Sequence, residues 1–284
     1  MRSAKWRRIA GVIGLGLLLV ALGGCKKEEA PKPEPKVAPP AIGQAGQLRA
    51  GVDLSVPPFG GTDAGKQAGL DLDVAAALAE RLGLAVTYVE VSPSEASTAL
   101  ADGTVDIVLS VPLADADLTR VSPAGTYVSD APAAFIATDS TASIEPSMTV
   151  KTLPLEKIAA QSSSAAYWLV MSEYGEDALE PVETLRAALE MLDRGETPAV
   201  VGDAIVGAYI ARDFPRVRYA GQLAAATPLT VAVAAENTEL SDAVRSALDD
   251  LAADGVLGSI RAKWVGELPE LKVAKGSGAA SSAP

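Results

Sequence analysis

Chemistry in this sequence has to be done with few kinds of side chain. There is no histidine and only one cysteine, which removes Ser-His-Asp and Cys-His catalysis and imidazole metal sites. Neither a G-x-x-x-x-G-K-[ST] phosphate loop nor a strand-linked G-x-G-x-x-G occurs. No cofactor, metal ion or catalytic residue is expected. Paired carboxylates could still act as acid and base, and carboxylates and hydroxyls can equally hold a ligand. Asp53 follows an apolar segment at 48–52. At the carboxyl end of an α/β strand a carboxylate faces the crevice where ligands sit; as a turn residue it would bond its own backbone instead. Phe59 offers either an apolar wall or plain core packing. The run Q-S-S-S-A at 161–165 puts Ser163 and Ser164 at a helix start, where hydroxyls and free N–H groups make an anion site, an N-cap or both. Asp203 follows the apolar run 199–201 and is also placed to cap the next helix.

Alternating strand-like and helix-like segments position these residues, which indicates α/β architecture. Strands are expected at 48–52, 85–91, 105–109, 132–137, 157–160, 199–201 and 229–234. Val74, Leu78 and Leu82 share one face of a helix at 70–82; Asp71 and Asp73 suit its positive end, and Gly83 suits its left-handed stop. Ser92-Pro93-Ser94-Glu95 is a capping box opening a helix that ends near Gly103. Leu185, Leu189 and Leu192 mark another helix, closed by Gly195. A helix from Ala204 to about Arg212, one capped by Ser241 and one running to Trp264 complete the set. No internal repeat is visible.

The first residues concern compartment. Arg2, Lys5, Arg7 and Arg8 precede an apolar run at 9–22, too short for a comfortable membrane span and typical of a signal peptide. It closes with Leu22-Gly23-Gly24-Cys25, which resembles the lipobox of bacterial lipoproteins. That resemblance implies cleavage before Cys25 and acylation of its thiol by diacylglycerol and palmitate; the alternative is an ordinary signal peptide that carries a cysteine. Residues 25–46 are proline- and charge-rich and read as an extended tether. The Ala-, Ser- and Gly-rich end reads as a disordered tail. The chain carries 36 acidic against 24 basic residues, which argues against nucleic acid as a partner.

Four pieces of the body resemble one known family. They are L-R-A-G-V-D-L-S-V-P-P-F from Leu48, G-L-D-L-D-V-A-A-A-L-A from Gly69, A-L-A-D-G-T-V-D-I-V from Ala99 and D-G-V-L-G-S-I-R-A-K-W-V-G from Asp254. In this order they resemble the bacterial extracellular solute-binding proteins of family 3, polar amino acid receptors of ABC importers. The resemblance implies a two-lobed type II periplasmic-binding-protein fold whose lobes are joined by two crossing strands. It places the signal peptide at 1–24, the tether at 25–46, the first lobe at 47–138 plus 228–268, the second at 139–227 and the tail at 269–284. It implies a monomer in the cell envelope, facing the periplasm or the extracellular side, that closes around a small polar ligand and presents it to an ABC permease.

The family's site residues carry over position by position. Asp53 corresponds to a contact for a ligand amine. The family's aromatic residue three positions later is Val56 here, so the wall that Phe59 offers is smaller or differently shaped. Ser110 and Val111 correspond to hydroxyl and backbone donors for a ligand carboxylate, and Ser163 and Ser164 to donors from the second lobe. Asp203 corresponds to the acceptor for an α-ammonium. The family's carboxylate-clamping arginine would fall near Leu118; Arg120 is the nearest, serving either as a shifted clamp or as a solvated surface charge. The same fold also hosts an enzyme of the cyclohexadienyl dehydratase type, and accessory or sensory binding modules, as alternative functions.

Overall fold

The computed structural model describes residues 34–112, 119–138 and 157–274. The leader, Cys25 and Leu118 lie outside the described residues. Two five-stranded sheets organise the fold. The first has the order β4-β1-β5-β12-β6, built from β1 (Gln47–Val52), β4 (Ala85–Glu90), β5 (Ile107–Pro112), β6 (Val121–Asp130) and β12 (Thr227–Ala234). Strands β1, β4 and β5 run parallel, and β12 lies antiparallel between β5 and β6. Helices α1 (Leu70–Arg81), α2 (Ala96–Ala101), α6 (Thr238–Ala253) and α7 (Val256–Val265) pack on it, and a hairpin of β2 (Gly61–Asp63) and β3 (Lys66–Ala68) precedes α1. The second sheet has the order β11-β7-β10-β8-β9, from β7 (Pro132–Ala137), β8 (Ile158–Gln161), β9 (Leu179–Val182), β10 (Val200–Asp203) and β11 (Val217–Gln222), with α3 (Ala165–Tyr174), α4 (Leu185–Arg194) and α5 (Ala204–Ala211).

Local chemistry accounts for these elements. In α4, Leu185, Ala188, Leu189 and Leu192 are buried on one face; Thr184 caps the start by accepting from Ala187 N, and Gly195 ends the helix in the left-handed region at φ 77°. Such a cap contributes about 1 kcal/mol. In α1 the apolar residues Leu70, Leu72, Val74, Ala75 and Leu78 are buried as the periodicity requires. Two helix starts differ from the sequence expectation. Glu95 does reach back to Ser92 N, at 3.2 Å, and to Ser92 Oγ, at 2.6 Å, but 93–95 form a turn and α2 begins at Ala96. Helix α6 is capped by Asn237, which accepts from Leu240 N, rather than by Ser241, which is buried within it. Strands β6, β9 and β11 escaped the pattern; β6 contains Pro123 and Gly125, both unfavourable in strands.

Three boundaries also differ. The chain passes between the sheets at Ala131, because β7 pairs with β10 and β11. Pro132–Ala137, expected with the first lobe, therefore belongs to the second sheet. Within the expected tether, residues 34–46 are part of the fold: Val37, Ala41 and Ile42 are buried. Asp106, itself buried, accepts from Gly43 N and Arg49 N at 2.8 Å and from Arg49 Nη2 at 2.6 Å. Apolar side chains between the prolines overrode a composition that reads as extended. Within the expected tail, Lys272 N donates to Gln222 Oε1 at 2.7 Å, and Lys272 O accepts from Ala226 N at 2.8 Å. The C-terminal segment thus runs beside the return from β11 to β12. Among the described residues no helix is long and apolar enough to cross a membrane.

Candidate ligand-binding site

The carboxyl ends of β1 and β5 open on a cavity of about 400 Å³, lined by Asp53, Val56, Phe59, Asp71, Ser110, Val111 and Asp130 among others. In an α/β sheet this is where ligands bind. The loop after β1 is held close. Asp53 Oδ1 accepts from Ser55 N at 2.8 Å and Ser55 Oγ at 2.6 Å, so Asp53 is both a turn residue and a wall of the cavity. Leu70 N donates to Pro58 O and Asp71 N to Phe59 O, which seats the loop on the start of α1. A Cβ on Gly60 would lie 2.1 Å from Asp53 O, so only glycine permits this approach. Phe59 is buried and faces the cavity; wall and core are one role here.

Beneath the loop lies a network that the sequence reading missed. Asp71 is buried. Its carboxylate accepts from Ser110 Oγ and from Tyr127 OH, each at 2.6 Å, and Tyr127 OH accepts from Ser110 N at 2.9 Å. The three groups hold Ser110 at φ 56°, a conformation that costs a non-glycine residue about 1–3 kcal/mol. Burial pushes the Asp71 carboxyl up to about 7, against the lowering by its hydroxyl partners, and the charge of Asp53 adds to the rise. Burial and Asp71 together hold the Tyr127 hydroxyl well above the ordinary tyrosine range. Asp71 had been assigned to the helix dipole; its place inside the apolar run G-L-D-L-D-V was the signal of burial.

A second carboxylate cluster sits at the crossing. Asp130, the last residue of β6, accepts through Oδ1 from Ala131 N at 2.8 Å and Ile205 N at 3.0 Å. It thereby caps α5, although Asp203 occupies the N-cap position and makes no side-chain cap bond. Burial, with the Asp203 charge adding to it and the backbone donors opposing it, raises Asp130 to about 7. Burial raises Asp203 as well. The helix-cap role open to Asp203 is taken by Asp130, and among the described residues the Asp203 carboxylate accepts no hydrogen bond.

The other expected residues are distributed differently. Val111 lines the cavity, and its carbonyl accepts from Thr230 Oγ1 at 2.9 Å. Ser164 caps α3 by accepting from Tyr167 N at 3.1 Å. Ser163 is exposed at φ 63°. Both stand at the carboxyl end of β8, level with Asp203 at the end of β10, but neither lines the cavity. Arg120 is not brought to the cavity. It is exposed and its carbonyl accepts from Ala235 N. Val121 pairs with Ala234 at one end of β6 and Asp130 with Thr227 at the other, a separation of about 30 Å at ~3.3 Å per strand residue. Among the described residues no group of three or more His, Cys, Asp or Glu could hold a metal ion.

Comparison with known proteins agrees with this geometry. Residues 48–267 match the family model of bacterial extracellular solute-binding proteins, family 3. A chain of Escherichia coli (strain K12), provisionally named ABC transporter arginine-binding protein 2, is 25% identical over 238 residues, spanning 76% of this chain and 90% of the relative. An ancestral cationic amino acid solute binding protein superposes with a TM-score of 0.69 at 25% identity, covering 78% of this chain and 96% of that one. The L-cystine solute receptor of Neisseria gonorrhoeae, unliganded and open, superposes with a TM-score of 0.69 at 21% identity, covering 80% and 95%. The fold is the two-lobed type II periplasmic-binding-protein fold.

Proposed function

We infer the role of this chain from a membership: it belongs to the bacterial extracellular solute-binding proteins, family 3. It is a solute-binding protein of the kind that serves ABC importers, and we propose that its solute is small, polar and positively charged. The observation that carries this reading is the carboxylate-lined cavity at the ends of β1 and β5. A cation removed from water needs an anionic partner; the Asp203 charge raises the pKa of Asp130, and burial raises that of Asp203. Asp203 is the ammonium partner. The printed names of the E. coli relative and of the ancestral protein, which speak of arginine and of cationic amino acids, favour the same charge. The role is capture rather than turnover, since Asp71 and Asp130 are engaged in supporting Ser110 and α5. The body works as a monomer on the outer side of a membrane, held there by lipid on Cys25 and handing its solute to a permease.

The test is a thermal-shift panel on the full-length chain in detergent, using cationic amino acids, amines and small carboxylates, followed by small-angle scattering with the best binder. Cations alone should raise the melting temperature, and saturation should lower the radius of gyration as the lobes close. Equal stabilisation by neutral or anionic compounds would reject the charge assignment. An unchanged radius would reject capture by closure.

A further inference from the structure

Donors and acceptors in the cavity are distributed very unevenly. At the end of β5, where a ligand carboxylate would look for donors, Ser110 Oγ already donates to Asp71 and Ser110 N to Tyr127 OH. The acceptors are in the opposite condition. The bonds that Asp53 accepts from Ser55 and that Asp130 accepts from Ala131 and Ile205 all end on Oδ1, which leaves Oδ2 of each outside them for a ligand. Among the described residues the cavity is lined by Asp53, Asp71 and Asp130 and by no lysine or arginine. Arg120 stands at the far end of β6. The sequence adds no cation directly after β5 either, since 113–118 reads L-A-D-A-D-L.

An α-amino acid brings a carboxylate that this lining repels and cannot pair. A ligand with only positive ends matches it: one end on Asp53 after β1, the other on Asp130 at the crossing, where the charge of Asp203, outside the cavity lining, acts on Asp130. A cavity of about 400 Å³ falls in the size range of small-molecule sites. We propose that the solute is a carboxylate-free organic dication, a diamine or guanidino-amine, held between Asp53 and the Asp130–Asp203 pair. This rests on the reading of the cavity as the solute site and goes beyond it by excluding amino acids.

Two pairs of probes differ by the carboxylate alone: agmatine against arginine, and cadaverine against lysine. Isothermal titration of the full-length chain in detergent should give the carboxylate-free member of each pair at least tenfold tighter binding, a difference of about 1.4 kcal/mol. Asp53→Asn and Asp130→Asn should each weaken agmatine at least tenfold while still melting in one cooperative transition; the asparagine oxygen at 130 can still accept from Ile205 N. Arginine and lysine binding as tightly as their partners would overturn the dication while leaving cation capture standing. Failure of all four probes would overturn both. Wild-type affinity in Asp53→Asn would overturn the two-ended grip even if agmatine binds.

Discussion

Replacing Asp71 by asparagine removes a buried acid while keeping its shape and its capacity to bond Ser110 and Tyr127. In the unfolded chain an aspartate titrates near 3.9, whereas in the fold burial lifts Asp71 to about 7. Between those values the folded state binds more protons than the unfolded one, so stability falls as pH rises through this window. Each unit is about 1.36 kcal/mol. Roughly one unit is already lost at pH 5, and the loss is complete above pH 7, which leaves about 3 kcal/mol between pH 5 and pH 8. For a body of this size 1 kcal/mol moves the melting temperature by about 2–4 °C, giving a drop of roughly 6–12 °C from this residue alone. Asp130, also raised to about 7 by burial and by Asp203, contributes with the same sign. Differential scanning fluorimetry at pH 5 and pH 8 should therefore show the parent less stable at pH 8, and Asp71→Asn with a clearly smaller drop. An equal drop in parent and variant would refute the claim that Asp71 is strained in its ionised form.

Tyr127→Phe takes the hydroxyl from both Asp71 and Ser110 N and should lower stability by about 3 kcal/mol, since a lost charged bond and an orphaned buried donor each cost 1–3 kcal/mol; urea unfolding measures it. Asp203→Ala should weaken the best cationic probe at least tenfold by titration calorimetry, at unchanged stability, because the residue caps nothing. Arg120→Ala should leave that affinity within twofold, as expected for an exposed side chain that does not line the cavity and sits at the opposite end of β6 from Asp130. Cys25→Ser should shift the protein out of the membrane fraction, or leave it unprocessed, on cell fractionation; a processed species still on the membrane would refute the lipid anchor.

Much of the scaffold is legible in the sequence because burial writes periodicity. Helix α4 shows its buried leucines and its glycine stop, and β1 and β5 are short apolar runs before Asp53 and Ser110. Asp53 could be picked out as a strand-end residue for the same reason, whereas Ser110 and Val111 were carried over from the family resemblance; both readings lead to one cavity. What was missed depends on partners distant in sequence. Asp71 looks like a dipole acid until Tyr127, on another strand, is seen to donate to it. Asp130 carries no signal in the sequence, because the start of α5 that it caps in place of Asp203 lies 75 residues away. Arg120 was considered because it is the arginine nearest Leu118, and nearness in sequence does not reveal that the chain enters the ten-residue β6 directly after it. Residues 34–46 were misjudged because proline content hides three apolar side chains that reach the core.

Asp130 joins two functions in one carboxyl group. Oδ1 holds the first turn of α5 and the amide of Ala131, the single residue between the two sheets. The same side chain forms part of the cavity wall. An ionised carboxylate is a stronger acceptor than the neutral acid, so whatever strips the proton from Asp130 also tightens its grip on the joint. Substitutions here cannot be sorted into affinity effects and mobility effects, because one atom group sets both.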